Sequence, residues 1–584
     1  MARYPERMNL LPFGQLPAYK PRRFVPDTID LGEWTQIAPL FDRLESRAAA
    51  CDSVAELEQW LQDWGELGAA LEEESSRRYI AMTCHTENAD AERAYLHFIE
   101  KIEPQLKPRQ FKLAALYVAH PLRQQLPQPR YEMFDRHTRV LVELFRLENV
   151  PLETEEAKLA QQYYKLMGSL TVRFRGEEKT LDQMALHLEE PDRATRQEAW
   201  KLVANRRLRE ADKLDDIFDH LLNLRTQIAV NAGFPTYIQY VFRSLRRFDY
   251  TPNDCIRFHE SVEREVMPVV RELQGRRRTQ LGLSALRPWD LAVDPLNRPP
   301  LRPFERIEQL SDGTLTIFKQ LEPSLGAGFA RMRELRLLDL GNRKGKAPGG
   351  YQSSLNEARL PFIFMNAVGI HRDVETLLHE GGHAFHALAV RDEDFFPYRN
   401  NIPIEFCEVA SMSMELLGNE HLETFYSPAD ANRARRMHLE TVINLFGWIA
   451  TVDAFQHWLY THPQHTRDER ARAWLALMDR FGGDVDWSGY ERVRANLWHR
   501  QLHIFVSPLY YIEYAIAQLG ALQVWANAKR DKADALQAYR RGLALGGSRP
   551  LPELFAAAGC RFDFDGATIR PLIGLACDEL AKLG

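Results

Sequence analysis

The stretch His379-Glu380-Gly381-Gly382-His383 decides how the rest of the chain is read. Two histidines four residues apart, with a glutamate directly after the first, form a zinc-hydrolase pattern when a helix carries them. A helical turn takes about 3.6 residues, so positions 379 and 383 project from nearly the same face. Their imidazoles then share one cation, and Glu380 stands beside them within reach of an attacking water. Read this way, the chain cuts amide bonds. A pattern this loose also arises by chance, so its flanks carry the decision.

Upstream, Leu360-Pro361-Phe362-Ile363-Phe364-Met365-Asn366 reads as a strand with Pro361 at its start or on an edge. Peptide-cutting enzymes often hold an extended substrate against a strand edge, which makes this strand a candidate for that role beside the alternative of an ordinary buried strand. Before it, Gly341 to Gly350 reads as a turn leading into a short strand. The loop is locally basic through Arg343, Lys344 and Lys346, but it lacks the GxxxxGK[ST] order of a phosphate loop. The segment 284–303, with Pro288, Pro295, Pro299, Pro300 and Pro303, reads as an extended connection.

Elsewhere helical signals dominate. Ser53 and Glu56 have capping-box spacing, and Leu57, Trp60, Leu61, Trp64, Leu67 and Leu71 follow helical periodicity. Amphipathic segments run through 88–103, 131–147, 154–168 and 191–230. We expect a helical N-terminal region over 1–200 and a catalytic region over 201–584. The stretch Val506–Ala526 is largely apolar but carries Glu513, Gln518 and Gln523, which predicts a buried helix and not a membrane span.

Composition narrows the class. The chain has 584 residues, 45% hydrophobic and 27% charged, as in ordinary globular proteins. A net charge of -6 gives no basic footprint for nucleic acid or anionic lipid. The six cysteines are scattered without CxxC spacing, which predicts reduced thiols and a cytoplasmic protein. Met1-Ala2-Arg3-Tyr4-Pro5 lacks an apolar h-region, so no secretory signal is expected.

A catalytic zinc takes three protein ligands. His379 and His383 supply two, and Glu405, Glu408, Glu415 and Glu420 are available for the third. Glu408 falls in the apolar middle of a helical segment, Ile404–Met412, where an unpaired carboxylate is costly. Glu405 is its rival, and pairing with an arginine is the structural alternative. Glu415, two turns past Glu408, is a candidate acceptor behind the ligands. His386 reads as a structural histidine bonded to backbone, and His371 as a surface or turn residue.

Three runs together resemble peptidase family M3, most closely the oligoendopeptidase F branch: Lys344-Gly345-Lys346-Ala347-Pro348-Gly349-Gly350-Tyr351, Pro361-Phe362-Ile363-Phe364-Met365-Asn366 and Thr376-Leu377-Leu378-His379-Glu380-Gly381-Gly382-His383-Ala384-Phe385-His386. Arg247-Phe248-Asp249-Tyr250 and the run from Leu545 to Phe555 resemble that branch too, so the likeness spans roughly 200–580. It implies a mainly α, two-lobed zincin-type metallopeptidase, with a small β-sheet beside the active-site helix and a deep channel that admits short unfolded peptides. In such enzymes the third ligand is the glutamate of Phe-x-Glu-x-x-Ser, here Phe406, Glu408 and Ser411, which favours Glu408 over Glu405. One Zn2+ per chain is implied, with Glu380 as general base.

The segment from His503 to Tyr514 is dense in hydrogen-bond donors, and Tyr511 and Tyr514 have the spacing of one helical face. Aromatic packing explains most such clusters. The family resemblance implies instead that Tyr514 polarises the carbonyl or oxyanion, His503 donates to the same region or to the substrate backbone, and Tyr511 holds substrate, with Tyr510 as its alternative and His499 a weaker stand-in for His503. The expected activity is hydrolysis of short unfolded peptides by an endopeptidase. A zinc carboxypeptidase or dipeptidyl carboxypeptidase is the nearest rival, and an inactive peptide-binding helical scaffold is the rival from another class.

Overall fold

The computed structural model describes residues 10–583 apart from 344 and 348. The N-terminal pentapeptide, Lys344 and Pro348, which figure in the sequence reading, lie outside the described residues. Helices account for most of the chain, as expected. Among them are α1 (Val54–Cys84), α2 (Pro252–Glu265), α3 (His371–Ala389), α4 (Ile404–Asn419), α5 (Pro428–Thr461), α6 (Leu502–Val506) and α7 (Ile512–Arg530). The strands are a hairpin, β1 (Thr171–Phe174) and β2 (Glu177–Thr180), and a sheet of β3 (Leu338–Gly341), β4 (Tyr351–Leu355) and β5 (Leu360–Ala367).

The fold divides into two compact units, each assembled from three separate stretches of chain. Unit 1 takes the described part of 1–147 with 303–425 and 520–562, and unit 2 takes 148–302, 426–519 and the described part of 563–584. No helix among the described residues is long and apolar enough to cross a membrane. All six cysteines are free thiols.

In unit 1 the sheet has the order β3-β5-β4, with β5 parallel to β3 and antiparallel to β4. This corrects the expectation for β5. It is the central strand, buried at all but one of its positions, and has no edge to offer a substrate. Pro361 is tolerated because it stands second in the strand, opposite Ser354. An edge, if one is used, belongs to β4. The basic loop also has a structural explanation. Lys346 is buried and its Nζ donates to the Asp339 carboxylate at 2.9 Å and to the carbonyls of Asp339, Gly341 and Met365 at 3.0, 2.9 and 2.5 Å, tying β3 to β5. Arg343 pairs with the same aspartate.

The N-terminal helix α1 braces this sheet. Glu73 accepts from the backbone N–H groups of Glu357 and Ala358 at 2.6 and 2.9 Å, and Thr83 Oγ1 meets the Tyr351 hydroxyl at 2.6 Å. Ser53 caps α1 by accepting from Glu56 N–H, whereas the Glu56 carboxylate takes the Asp52 N–H, so only half of the predicted capping box forms. Of the periodic apolar residues, all except Trp64 are buried.

The chain passes from β5 into α3 through Val368-Gly369-Ile370. Gly369 has φ +100°, and a side chain there would be strained. The Asp373 carboxylate collects the N–H groups of Val368, Gly369 and Ile370 at 2.8, 2.8 and 3.0 Å, which anchors the helix start. His371 is therefore not a surface residue: it opens α3, is buried, and its Nε2 lies 3.3 Å from Glu375.

Candidate metal centre

The motif helix α3 packs against α4, and its second glycine explains how closely. A Cβ on Gly382 would stand 2.5 Å from the Ala410 carbonyl oxygen and 2.6 Å from Ser411 Cα, both backbone atoms. Only glycine lets the helices approach this far, and the approach brings Glu408 under the two histidines. Gly381 faces the Phe318 ring, with its would-be Cβ 2.5 Å from Cζ.

His379, His383 and Glu408 come together with donor atoms mutually within 4.8 Å. Glu408 Oε2 lies 3.4 Å from His379 Nε2 and 3.6 Å from His383 Nε2. Zinc bonds of about 2.0–2.2 Å at tetrahedral angles place donor atoms about 3.3–3.6 Å apart, and the Glu408 oxygen already stands at that spacing from both imidazoles. Two imidazoles and one carboxylate are also the donor types of a catalytic zinc, leaving a fourth position open. The imidazoles keep 23% and 18% of their side-chain surface exposed, so the trio can be reached from solvent.

Neighbouring groups orient each donor. His379 Nδ1 lies 2.6 Å from Glu415 Oε1, which turns its Nε2 toward Glu408. Ser411 Oγ donates to Glu408 Oε2 at 2.9 Å. Burial opposes charge on His379, but the hydrogen bond and charge of Glu415, with Glu408 and Glu380, lift its pKa to about 10 in the metal-free chain. Burial holds His383 down to about 4, against the pull of Glu408, so it presents a neutral imidazole.

Glu380 is buried, and its Oε2 has no hydrogen-bond partner among the described residues. Burial raises its pKa to about 7, while the charge on His379 and the backbone N–H of Gln352 in β4 pull the other way. A carboxylate poised there exchanges protons readily at neutral pH.

The remaining candidates sort clearly. Glu405 is buried at the start of α4 and is not in the trio. Glu420 accepts from Trp525 Nε1 and pairs with Lys529. His386 is buried edge-on to Phe406, with its pKa pressed down to about 3 by burial and by His383. It takes no part in the trio.

Unit 2 holds the His–Tyr segment. The apolar run expected as one helix over 506–526 is broken: α6 ends at Val506, a turn follows, and α7 begins at Ile512. Tyr511 thus precedes the helix and shares no helical face with Tyr514. The turn still gathers the four side chains. His503 has ring centroids 5.4, 5.1 and 5.6 Å from Tyr510, Tyr511 and Tyr514, and the Tyr514 hydroxyl lies 3.4 Å from His503 Nε2. Gln501 Nε2 sits 2.7 Å from His503 Nδ1. His499 is elsewhere, buried with Nε2 3.3 Å from Asp215.

Sequence reasoning missed the residues that hold this turn. Buried Arg247 donates to the Leu509 carbonyl at 2.6 Å and to Glu513 at 2.9 Å. Gln456 Oε1 accepts from Leu509 N–H at 2.7 Å, and Leu509 itself has φ +61°. Arg225, with no exposed side-chain surface, donates to the Ile504 and Phe505 carbonyls, the Tyr460 hydroxyl and Glu156. Only the Arg247-Phe248-Asp249-Tyr250 run gave a sequence signal for any of these.

Comparisons with known proteins follow the same lines. Residues 186–572 match the model of peptidase family M3, and 29–145 match the peptidase M3 N-terminal domain. The chain is 25% identical over 308 residues to the oligoendopeptidase F homolog of Borreliella burgdorferi, a match covering 50% of this chain and 49% of that protein, or about half its length. The structure of PZ peptidase A with an inhibitor superposes with a TM-score of 0.90 at 28% identity, covering 96% of this chain and 99% of that one. A protein from Bacillus anthracis str. Ames named as an oligoendopeptidase F gives 0.86 at 25% identity, again over 96% and 99% of the two chains. With the family model covering most of its length, the chain belongs to peptidase family M3.

Proposed function

We propose that this chain is a zinc-dependent endopeptidase of short, unfolded peptides, with His379, His383 and Glu408 as the metal ligands. The observation that carries the reading is the spacing of the three donor atoms, which suits zinc, next to a buried carboxylate on Glu380 with an unpartnered oxygen. When bound there, zinc supplies Lewis acidity that polarises a peptide carbonyl and acidifies water. Glu380 takes the proton of the attacking water and returns it to the leaving amine. Glu415 and Ser411 hold His379 and Glu408 in place. On the family resemblance alone, we assign His503 and Tyr514 as donors to the oxyanion of the tetrahedral species, and Tyr511, with Tyr510, to substrate binding. The outer edge of β4, which reaches Glu380 through the Gln352 amide, suits pairing with an extended peptide.

Glu380→Gln keeps the ligands and removes the base. It is expected to retain stoichiometric zinc and to lose about 100- to 10,000-fold in kcat. Undiminished hydrolysis by that variant sinks the base assignment. Mass spectrometry of products from a long unstructured peptide blocked at both ends tests the cleavage mode. Internal cuts are expected. A blocked peptide left intact, while the same peptide with a free C-terminus is trimmed from that end, would replace the endopeptidase reading with a carboxypeptidase one.

A further inference from the structure

Unit 2 contains a second cluster of metal-binding side chains, wholly buried and separate in sequence from the motif helix. Helix α2 carries Cys255 and His259 four residues apart, and α5 carries Asp453 and His457 four residues apart, so each pair projects from one face of its helix. The Cys255, Asp453 and His457 donor atoms lie mutually within 4.8 Å. His259 Nε2 lies 2.8 Å from Asp453 Oδ2, and His457 Nε2 lies 3.5 Å from the same oxygen.

The contacts within the protein do not satisfy this cluster. Asp453 is fully buried, yet its Oδ1 has no hydrogen-bond partner among the described residues, and neither has His457 Nε2. Buried carboxylate oxygens and imidazole nitrogens are rarely left so, because each forfeits its hydration. Each of the two residues offers a donor atom within 4.8 Å of the Cys255 sulfur, which is fully buried as well.

We propose that Cys255, Asp453 and His457 bind a structural divalent cation of the zinc class, with His259 holding Asp453 from behind. Sulfur, imidazole and carboxylate together favour zinc over calcium or magnesium, which prefer all-oxygen shells. His457 Nε2 and Asp453 Oδ2, 3.5 Å apart, already stand at tetrahedral spacing. His259, donating to Asp453 Oδ2, keeps the carboxylate charged and fixes its rotation, as outer partners of metal ligands do.

The charges balance. Burial keeps the Cys255 sulfur protonated in the metal-free chain, and the cation displaces that proton to solvent as the metal–sulfur bond forms. A dication, one thiolate and one carboxylate then sum to zero. The nearby guanidinium of Arg247 is already balanced by Glu513 at 2.9 Å. Binding therefore adds one positive charge that cancels the negative one on Asp453, which leaves the buried site neutral.

Cobalt is the probe, because only a sulfur ligand gives a thiolate-to-cobalt charge-transfer band, and the first site has none. The full chain is produced in cobalt-supplemented minimal medium, beside His379→Ala/His383→Ala and Cys255→Ser. The wild type is expected to hold two cobalt ions with the band, the double variant one ion with the band, and Cys255→Ser no band. The wild-type spectrum stands alone if a variant fails to fold. A wild type with a single cobalt and no such band overturns the proposal, as does a band that survives Cys255→Ser.

Discussion

At the scale of single residues, the chemistry depends on the separation of three pKa values within one turn of helix. His379 is drawn up by Glu415, His383 is pressed down by burial, and Glu380 lies between, near neutrality. With Glu380 as the proposed base, which must be deprotonated to act, activity is expected above its pKa and is expected to fall as pH drops through it. The value of about 7 belongs to the metal-free chain. A bound dication stabilises the carboxylate further, so about 7 is the upper bound for the acid limb of kcat/KM. A measured limb above that value would remove Glu380 as the group responsible. The same logic makes metal uptake a proton exchange. His379 is protonated at neutral pH without metal and must give up its Nε2 proton to bind, so zinc binding releases about one proton there. Calorimetry in buffers of different ionisation enthalpy reads that release, and its absence contradicts the pairing of His379 with Glu415.

At the scale of elements, the contact between α3 and α4 sets the ligand geometry, and its glycines differ in what they face. Gly382→Ala places a methyl against the backbone of Ala410 and Ser411, which cannot step aside without moving the helix. Gly381→Ala meets only the Phe318 ring, which can turn. The expected cost of Gly382→Ala is about 1–3 kcal/mol in stability together with weakened zinc binding, and that of Gly381→Ala is smaller. Equal effects in thermal melts and metal titrations would mean the close approach is not what positions Glu408. This contact also marks where the sequence stopped being legible. The histidine pair, the general-base candidate and the apolar strand before them announced themselves, because helical and strand periodicities are local. The choice between Glu405 and Glu408 was open until the family resemblance favoured Glu408. The central place of β5 was not legible, because its neighbours β3 and β4 are set by pairing across intervening turns. The buried state of His371 and the break before α7 escaped for a related reason. One rests on the packing around the start of α3, the other on Arg247 and Gln456, which are far away in sequence. Long-range packing and hydrogen bonds leave no periodic trace.

At the scale of the whole molecule, a ligand that binds only folded protein stabilises it by mass action, by about 2.7 kcal/mol at a hundred times its dissociation constant. Chelation is therefore expected to lower the melting temperatures of both units and to abolish hydrolysis, and added zinc to restore them. Activity that persists after exhaustive chelation contradicts the metallopeptidase reading. The melt need not be two-state in a chain with two compact units, so the transitions are best followed separately.

The threading of those units bears on how the protein is born. Each unit draws on three distant stretches, and unit 1 needs residues as late as 562 while unit 2 needs 563–584. Translation runs at about 5–20 residues per second, so the first helices emerge on the order of a minute before their last partners. Neither unit can close on the ribosome while the C-terminal stretch is still being made. The newborn chain must carry α1 and the apolar sheet exposed through that interval, which makes it a natural client for chaperones. A ribosome stalled before residue 520 would hold a chain in which neither unit is complete.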